Sequence, residues 1–159
     1  MRNAVVTTIA PTGTLSIIAD CSSGIEPLYA LSTTRVVAGD VELHEIDPVF
    51  RQVMHDRGAV FPDPISCTRT PFKDGAPLPD DLRGLFVTAL VIPPVQHVKM
   101  QAAFQDHTDN AVSKTINFPS HLSVGEMKET LVLAHELGCK GITIYRDQSR
   151  AGQVLRCGL

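Results

Sequence analysis

"AVSKTINFPSHLSVGEMKETLVLAHELGCKGITIY", residues 111–145, decides the fold. "AVSKTINF" has the β-branched, apolar composition of a strand, and Pro119 closes it. Ser123 and Glu126 make a capping box, in which each side chain takes up a free backbone N–H at a helix start. Val124, Met127, Leu131 and Ala134 then recur at helical spacing, and Gly138 supplies the stop. "GITIY" is a second short apolar strand. Strand, helix and strand within roughly thirty residues form a βαβ unit, with parallel strands and a right-handed crossover.

Upstream, "PVQHVKMQAAFQDHT" is a helix opened by Pro93 and Pro94. "DPVFRQVMHDRG" is another, with Asp47 to cap it, Pro48 at its first position and Gly58 to end it. "LYALSTTRVVAG" has extended or mixed character, and "DDLRGLFVTALVI" reads as a helical turn followed by an apolar strand. Residues 59–81 hold five prolines and little periodicity, as expected of an irregular surface excursion. At the other end, "AVVTTIA" (residues 4–10) reads as a buried strand. The class is α/β, with parallel strands at both ends of one segment, residues 1–159. About four segments are convincing strands, too few to close a barrel, and a parallel strand needs covering on both faces. The pattern is that of a piece of a larger sheet or barrel.

Composition narrows the function. The chain has 159 residues, 43% of them apolar and 19% charged, with a net charge of −3. That is globular rather than disordered, and no Lys/Arg block marks a nucleic-acid face. No apolar run reaches the ~20 residues of a membrane span, and "MRNAVVTTIAPTG" lacks a secretory pattern, so the expected setting is the cytoplasm. Cys21, Cys67, Cys139 and Cys157 form no C-x-x-C pair, and the six histidines are dispersed, so no metal site is expected.

One stretch suggests chemistry. "IAPTGTLSIIADCSSGIEP", residues 9–27, joins a strand to a Gly-bearing turn and a helix start near Thr12 or Thr14. Free N–H groups and the positive helix end favour an anion such as phosphate. Thr12, Thr14 and Ser16 add hydroxyls, and Gly13 permits close approach. No "GKS" follows, so this is no ATPase-type P-loop. On these residues alone, an anion site and a capped turn without a ligand both stand.

Four segments in order carry a resemblance. "RNAVVTTIAPTGTLSIIADCSSGIEP", "MQAAFQDHTDNAVSKTINFP", "ELGCKGITIYRDQSR" and "GQVL" together resemble the carboxy-terminal part of the catalytic subunit of ribonucleotide reductases. The wording is that of the adenosylcobalamin (vitamin B12)-dependent class, class II. The resemblance implies the C-terminal portion of a ten-stranded α/β barrel, incomplete on its own. It implies that Pro11, Thr12, Gly13, Thr14 and Ser16 cradle the substrate's phosphates. For the whole enzyme it implies reduction of a ribonucleoside di- or triphosphate by radical chemistry, with adenosylcobalamin as cofactor and a thioredoxin-like reductant. An N-terminal remainder of the reductase would be the partner, and the full enzyme would be a possible homodimer.

The family's thiyl-radical cysteine lies upstream of the matching region, so no catalytic residue is assigned here and the isolated chain is expected to be inactive. Two alternatives stand beside this: a non-catalytic nucleotide-binding module, and the C-terminal half of a split reductase. Class I enzymes carry two adjacent tyrosines where this chain has Ile144 and Tyr145, which gives a radical relay no support. The resemblance assigns Cys157 no role. Gln148 stands where the family often has Gly. Glu26, in the matched "GIEP", is expected to orient the loop by hydrogen bonding; Asp109, Asn110, Ser113 and Lys114 are either pocket-lining or capping and solvated residues.

Overall fold

The computed structural model describes residues 2–37, 41–58, 80–149 and 155–156. The expected excursion at 59–81 lies outside them except for its last two residues, and so do Cys67 and Cys157. The chain divides into two compact units, Met1–Pro27 with Ala89–Ser149, and Leu28–Thr88 with Arg150–Leu159.

The first unit contains the βαβ element. Strand β3 (Thr115–Phe118) pairs in parallel with β4 (Thr143–Arg146), in register Ile116 to Ile144 and Asn117 to Tyr145. Between them runs α5 (Val124–Glu136), started by the capping box: Glu126 N–H donates to Ser123 Oγ, and Ser123 N–H donates to Glu126 Oε2 at 2.8 Å. Gly138 ends it in the left-handed region, φ 73°, where glycine carries no Cβ penalty. The buried stripe of α5 follows the spacing only in part. Thr130 and Ala134 are buried and Met127 and Leu133 pack on the core, while Val124 and Leu131 are exposed. Thr130 can occupy that face because its hydroxyl donates to Glu126 O.

Helix α4 (Pro94–Gln105) sends Val98 into the same core, beside Ile116, Phe118 and Ala134. Val98, Ile116 and Phe118 each contribute about 1.5–3 kcal/mol by leaving water. Residues 4–10 do not form a regular strand. Ile9 makes one parallel bridge with Val112, Asn110 N–H donates to Thr7 O, and Ser113 N–H donates to Ile9 O. Val5 and Val6 are exposed rather than buried. A short helix follows, α1 (Gly13–Ala19).

In the second unit, β1 (Ser32–Val37) pairs antiparallel with β2 (Val41–Ile46), and β5 (Leu155–Arg156) flanks β1, also antiparallel. The sequence reading assigned no pairing to this antiparallel sheet; the parallel pairs are those of the first unit, β3 with β4 and the Ile9–Val112 bridge. Helix α2 (Pro48–Asp56) begins as its sequence dictates: Asp47 Oδ1 accepts from Phe50 N–H at 2.8 Å. The helical turn expected at 80 is α3 (Asp80–Arg83), but the apolar strand expected after it is absent, since residues 84–92 are turns and bends. Phe50, Met54 and Leu82 form the core, with Phe86 edge-on to Phe50 at 4.9 Å. Among the described residues no helix is long and apolar enough to cross a membrane.

Candidate functional site

Pro11, Thr12, Gly13, Thr14 and Ser16 lie together at the entry to α1. Thr12 precedes the helix in the left-handed region, φ 51°, and its side chain makes no cap bond. The N–H groups of a first turn have no intrahelical acceptor, which leaves those of Gly13, Thr14 and Leu15 without a capping side chain from Thr12. Ser16 N–H donates to Thr12 O at 2.9 Å, and Ser16 Oγ donates to Gly13 O at 2.7 Å. The Ser16 hydroxyl hydrogen is therefore committed to its own loop, and what it offers outward is lone pairs. A Cβ built on Gly13 would meet no atom within 4 Å, so the face above it is open.

The return of the loop is as specific as its entry. Gly24 has φ 54°, and a Cβ there would lie 3.1 Å from Ala10 O. Only glycine suits both the backbone conformation and the approach. Two residues on, Glu26 accepts from Thr115 N–H through Oε1 at 2.5 Å and pairs with Lys114 Nζ through Oε2 at 3.0 Å. The Lys114 side chain is only 2% exposed. Sequence reasoning expected Glu26 to orient the loop but offered no partner, and it placed Lys114 at a pocket or in solvent. The pairing spans 88 residues, which no local spacing reveals.

Asp109 is a cap for the N-terminal segment. Its Oδ2 accepts from Val6 N–H at 2.9 Å and Thr7 N–H at 3.1 Å, and these bonds hold its carboxyl below the usual range. Two buried glutamines on α4 went unread. Gln101 donates to Val112 O and Gly141 O, and Gln105 donates to Thr108 O and Asn110 O. Their signal was present: they stand one turn apart on the face that also carries His97, Val98 and Ala102. Ile144 packs on the core and Tyr145 is half-buried. Arg146 donates to Ser120 O in the neighbouring loop. Cys139 is half-buried, its thiol pushed up by burial and by Asp106, in keeping with a small packing residue.

The ribonucleotide reductase barrel domain, as a family model, matches residues 1–145. The chain belongs to the ribonucleotide reductase barrel-domain family. Two relatives named vitamin B12-dependent ribonucleoside-diphosphate reductase are each 43% identical to it. The one from Thermoplasma acidophilum aligns over 99% of this chain and 21% of its own length. The one from Mycobacterium tuberculosis aligns over 97% of this chain and 22% of its own. The class Id ribonucleotide reductase alpha subunit of Actinobacillus ureae superposes with a TM-score of 0.69 at 20% identity, over 92% of this chain and 27% of that one. The last likeness concerns the fold. The reductase segment thus spans about a fifth of the length of these curated relatives, and its described residues form part of the α/β barrel rather than a closed one.

Among the described residues no three His, Cys, Asp or Glu side chains gather as metal ligands. The buried imidazole of His97 is committed to Ala89 O at 2.9 Å. Cobalamin holds its cobalt in its own corrin ring and needs no such cluster, and no step on this segment is routed through it.

Proposed function

We propose that this segment forms part of the barrel wall and the substrate-phosphate loop of a vitamin B12-dependent ribonucleotide reductase. The observation that carries the reading is the 43% identity, along essentially the whole chain, to reductases bearing that name. The entry to α1 supports it locally, with uncapped N–H groups at Gly13, Thr14 and Leu15 beneath an open face. Pro11, Thr12, Gly13 and Thr14 are the residues of this cradle, and Ser16 braces it through its bonds to Thr12 O and Gly13 O. The relatives' names favour a ribonucleoside diphosphate as substrate.

The whole enzyme would convert ribonucleotides to deoxyribonucleotides, with adenosylcobalamin supplying the initiating radical and a thioredoxin-like dithiol the reducing equivalents. A cytoplasmic setting and a homodimer of the full enzyme belong to the same reading. The radical cysteine is assigned to the remainder of the reductase, so the 159-residue chain alone does not turn over.

The test is complementation. The chain is mixed with the Thermoplasma acidophilum reductase from which the matching segment has been deleted. Deoxyribonucleotide formation with adenosylcobalamin and a dithiol is expected only when both polypeptides are present. Binding of cytidine diphosphate by the chain with no restored turnover would favour a nucleotide-binding module instead. Turnover by the chain alone would overturn the assignment of the radical chemistry elsewhere.

A further inference from the structure

Helix α1 has no buried residue, and Leu15, Ile17 and Ile18 are all exposed. Packing within its unit therefore does not fix the 10–26 loop. What fixes it lies at its two ends, and both ends rest on one stretch of four consecutive residues. At the entry, Ile9 bridges Val112 and its carbonyl accepts from Ser113 N–H at 2.9 Å. At the exit, the Glu26 carboxylate takes Lys114 Nζ and Thr115 N–H. Gly24 against Ala10 O brings the two ends together.

We propose that Glu26 is a positioning residue for the anion-facing loop, and that the Glu26–Lys114 pair is the clasp fixing it to the start of β3. The physical argument is asymmetric. The entry is held by backbone bonds that any side chain preserves. Among the described residues the exit is held to this stretch by the Glu26 side chain. A nearly fully buried ammonium needs its counter-charge, and among the described residues Glu26 supplies the ion pair. The pair therefore selects one placement for the loop's exit and, through Gly24, for the first turn of α1. The role in phosphate binding rests on the function proposed above; the clasp does not.

The experiment uses the full 159-residue chain and two readouts. Glu26→Ala removes both bonds but strands the buried ammonium. Glu26→Ala/Lys114→Met removes the ammonium as well, and so separates lost anchoring from the cost of an unpaired charge. In the double variant, amide hydrogen exchange across residues 12–24 is expected to accelerate about tenfold, while residues 115–118 and 143–146 stay within about twofold of wild type. Equal acceleration in all three segments would mark a merely structural pair and overturn the proposal. So would unchanged exchange across 12–24, or a wild-type loop already exchanging like an unstructured peptide. The second readout is calorimetric titration with inorganic pyrophosphate, expected to weaken about tenfold in the double variant. If wild type binds no pyrophosphate while exchange responds as stated, the clasp is upheld and the phosphate reading falls. If wild type binds and the double variant binds equally, the positioning role is overturned.

Discussion

The side-chain amide of Gln101 donates to the carbonyl of Gly141 at 2.7 Å, and the same nitrogen donates to Val112 O at 3.2 Å. The parallel ladder of β3 and β4 begins only at Thr115 and Thr143. Ahead of it, α4 supplies the hydrogen bonds that the two segments do not make to each other. Gln105 Oε1 adds to this, accepting from Val112 N–H and Lys140 N–H.

Gln101→Leu keeps the volume and removes the donor. Val112, which is buried, then has a carbonyl without this partner. The expected cost is about 1–3 kcal/mol, the penalty of an unmade buried hydrogen bond. Urea denaturation of the variant against wild type reads it, and an unchanged midpoint would show that Gln101 is mere filler.

His97 predicts a pH dependence. Burial is the largest influence and pulls its pKa below the ordinary 6.5; the bond to Ala89 O and the Glu26 charge oppose this, and Lys114 reinforces it. The unfolded chain therefore takes up the proton first as pH falls. Stability is fully present above about pH 6.5 and declines below it, by at most about 1.4 kcal/mol per pH unit, until the folded imidazole is also protonated. Asp109 and Glu126 are held low by hydrogen bonds, so their contributions are lost only in stronger acid, below ordinary values of 3.8 and 4.5. Urea midpoints measured from about pH 8 to about pH 5 should show the decline in wild type and its loss in His97→Asn. A slope that survives in the variant would assign it to another group.

Gln148 has φ 58°, a left-handed conformation that costs a residue with a Cβ roughly 1–2 kcal/mol. Gln148→Gly removes that strain and gives back part of the gain as unfolded-state entropy. A net stabilisation of about 0.5–1 kcal/mol is expected by urea denaturation. Destabilisation would mean that the turn depends on the glutamine side chain, whose contact with Asp147 is a 3.4 Å hydrogen bond.

Where local chemistry decides the structure, it was legible. Asp47, Pro48 and Gly58 bracket α2, and Ser123, Glu126 and Gly138 bracket α5, because caps act over three or four residues. The helix start after Pro11 was legible from its Gly-bearing turn, but the strand expected before it amounts to one bridge, Ile9 to Val112. "LFVTALVI" was misread because apolar composition alone does not separate a strand from a packed turn; Ala89 is buried there with its carbonyl taken by His97. Residues 41–44, "VELH", alternate as a strand should, yet the antiparallel pairing of 41–46 with 32–37 was not anticipated. The exposed face of α5 and the placement of Lys114 depend on partners far along the chain. Helical spacing cannot distinguish Thr130 from Leu131 as the inward residue when the threonine hydroxyl satisfies itself.

The most direct test of the central claim is at Gly13, where an added Cβ meets no atom within 4 Å. The matching segment of the Thermoplasma acidophilum reductase is replaced by this chain, and KM and kcat for cytidine diphosphate are measured with Gly13 and with Gly13→Val. If the loop holds the substrate's phosphates, the valine raises KM about tenfold or more at an unchanged melting temperature, equivalent to about 1.4 kcal/mol of binding. An active replacement enzyme whose KM ignores the valine would contradict the account.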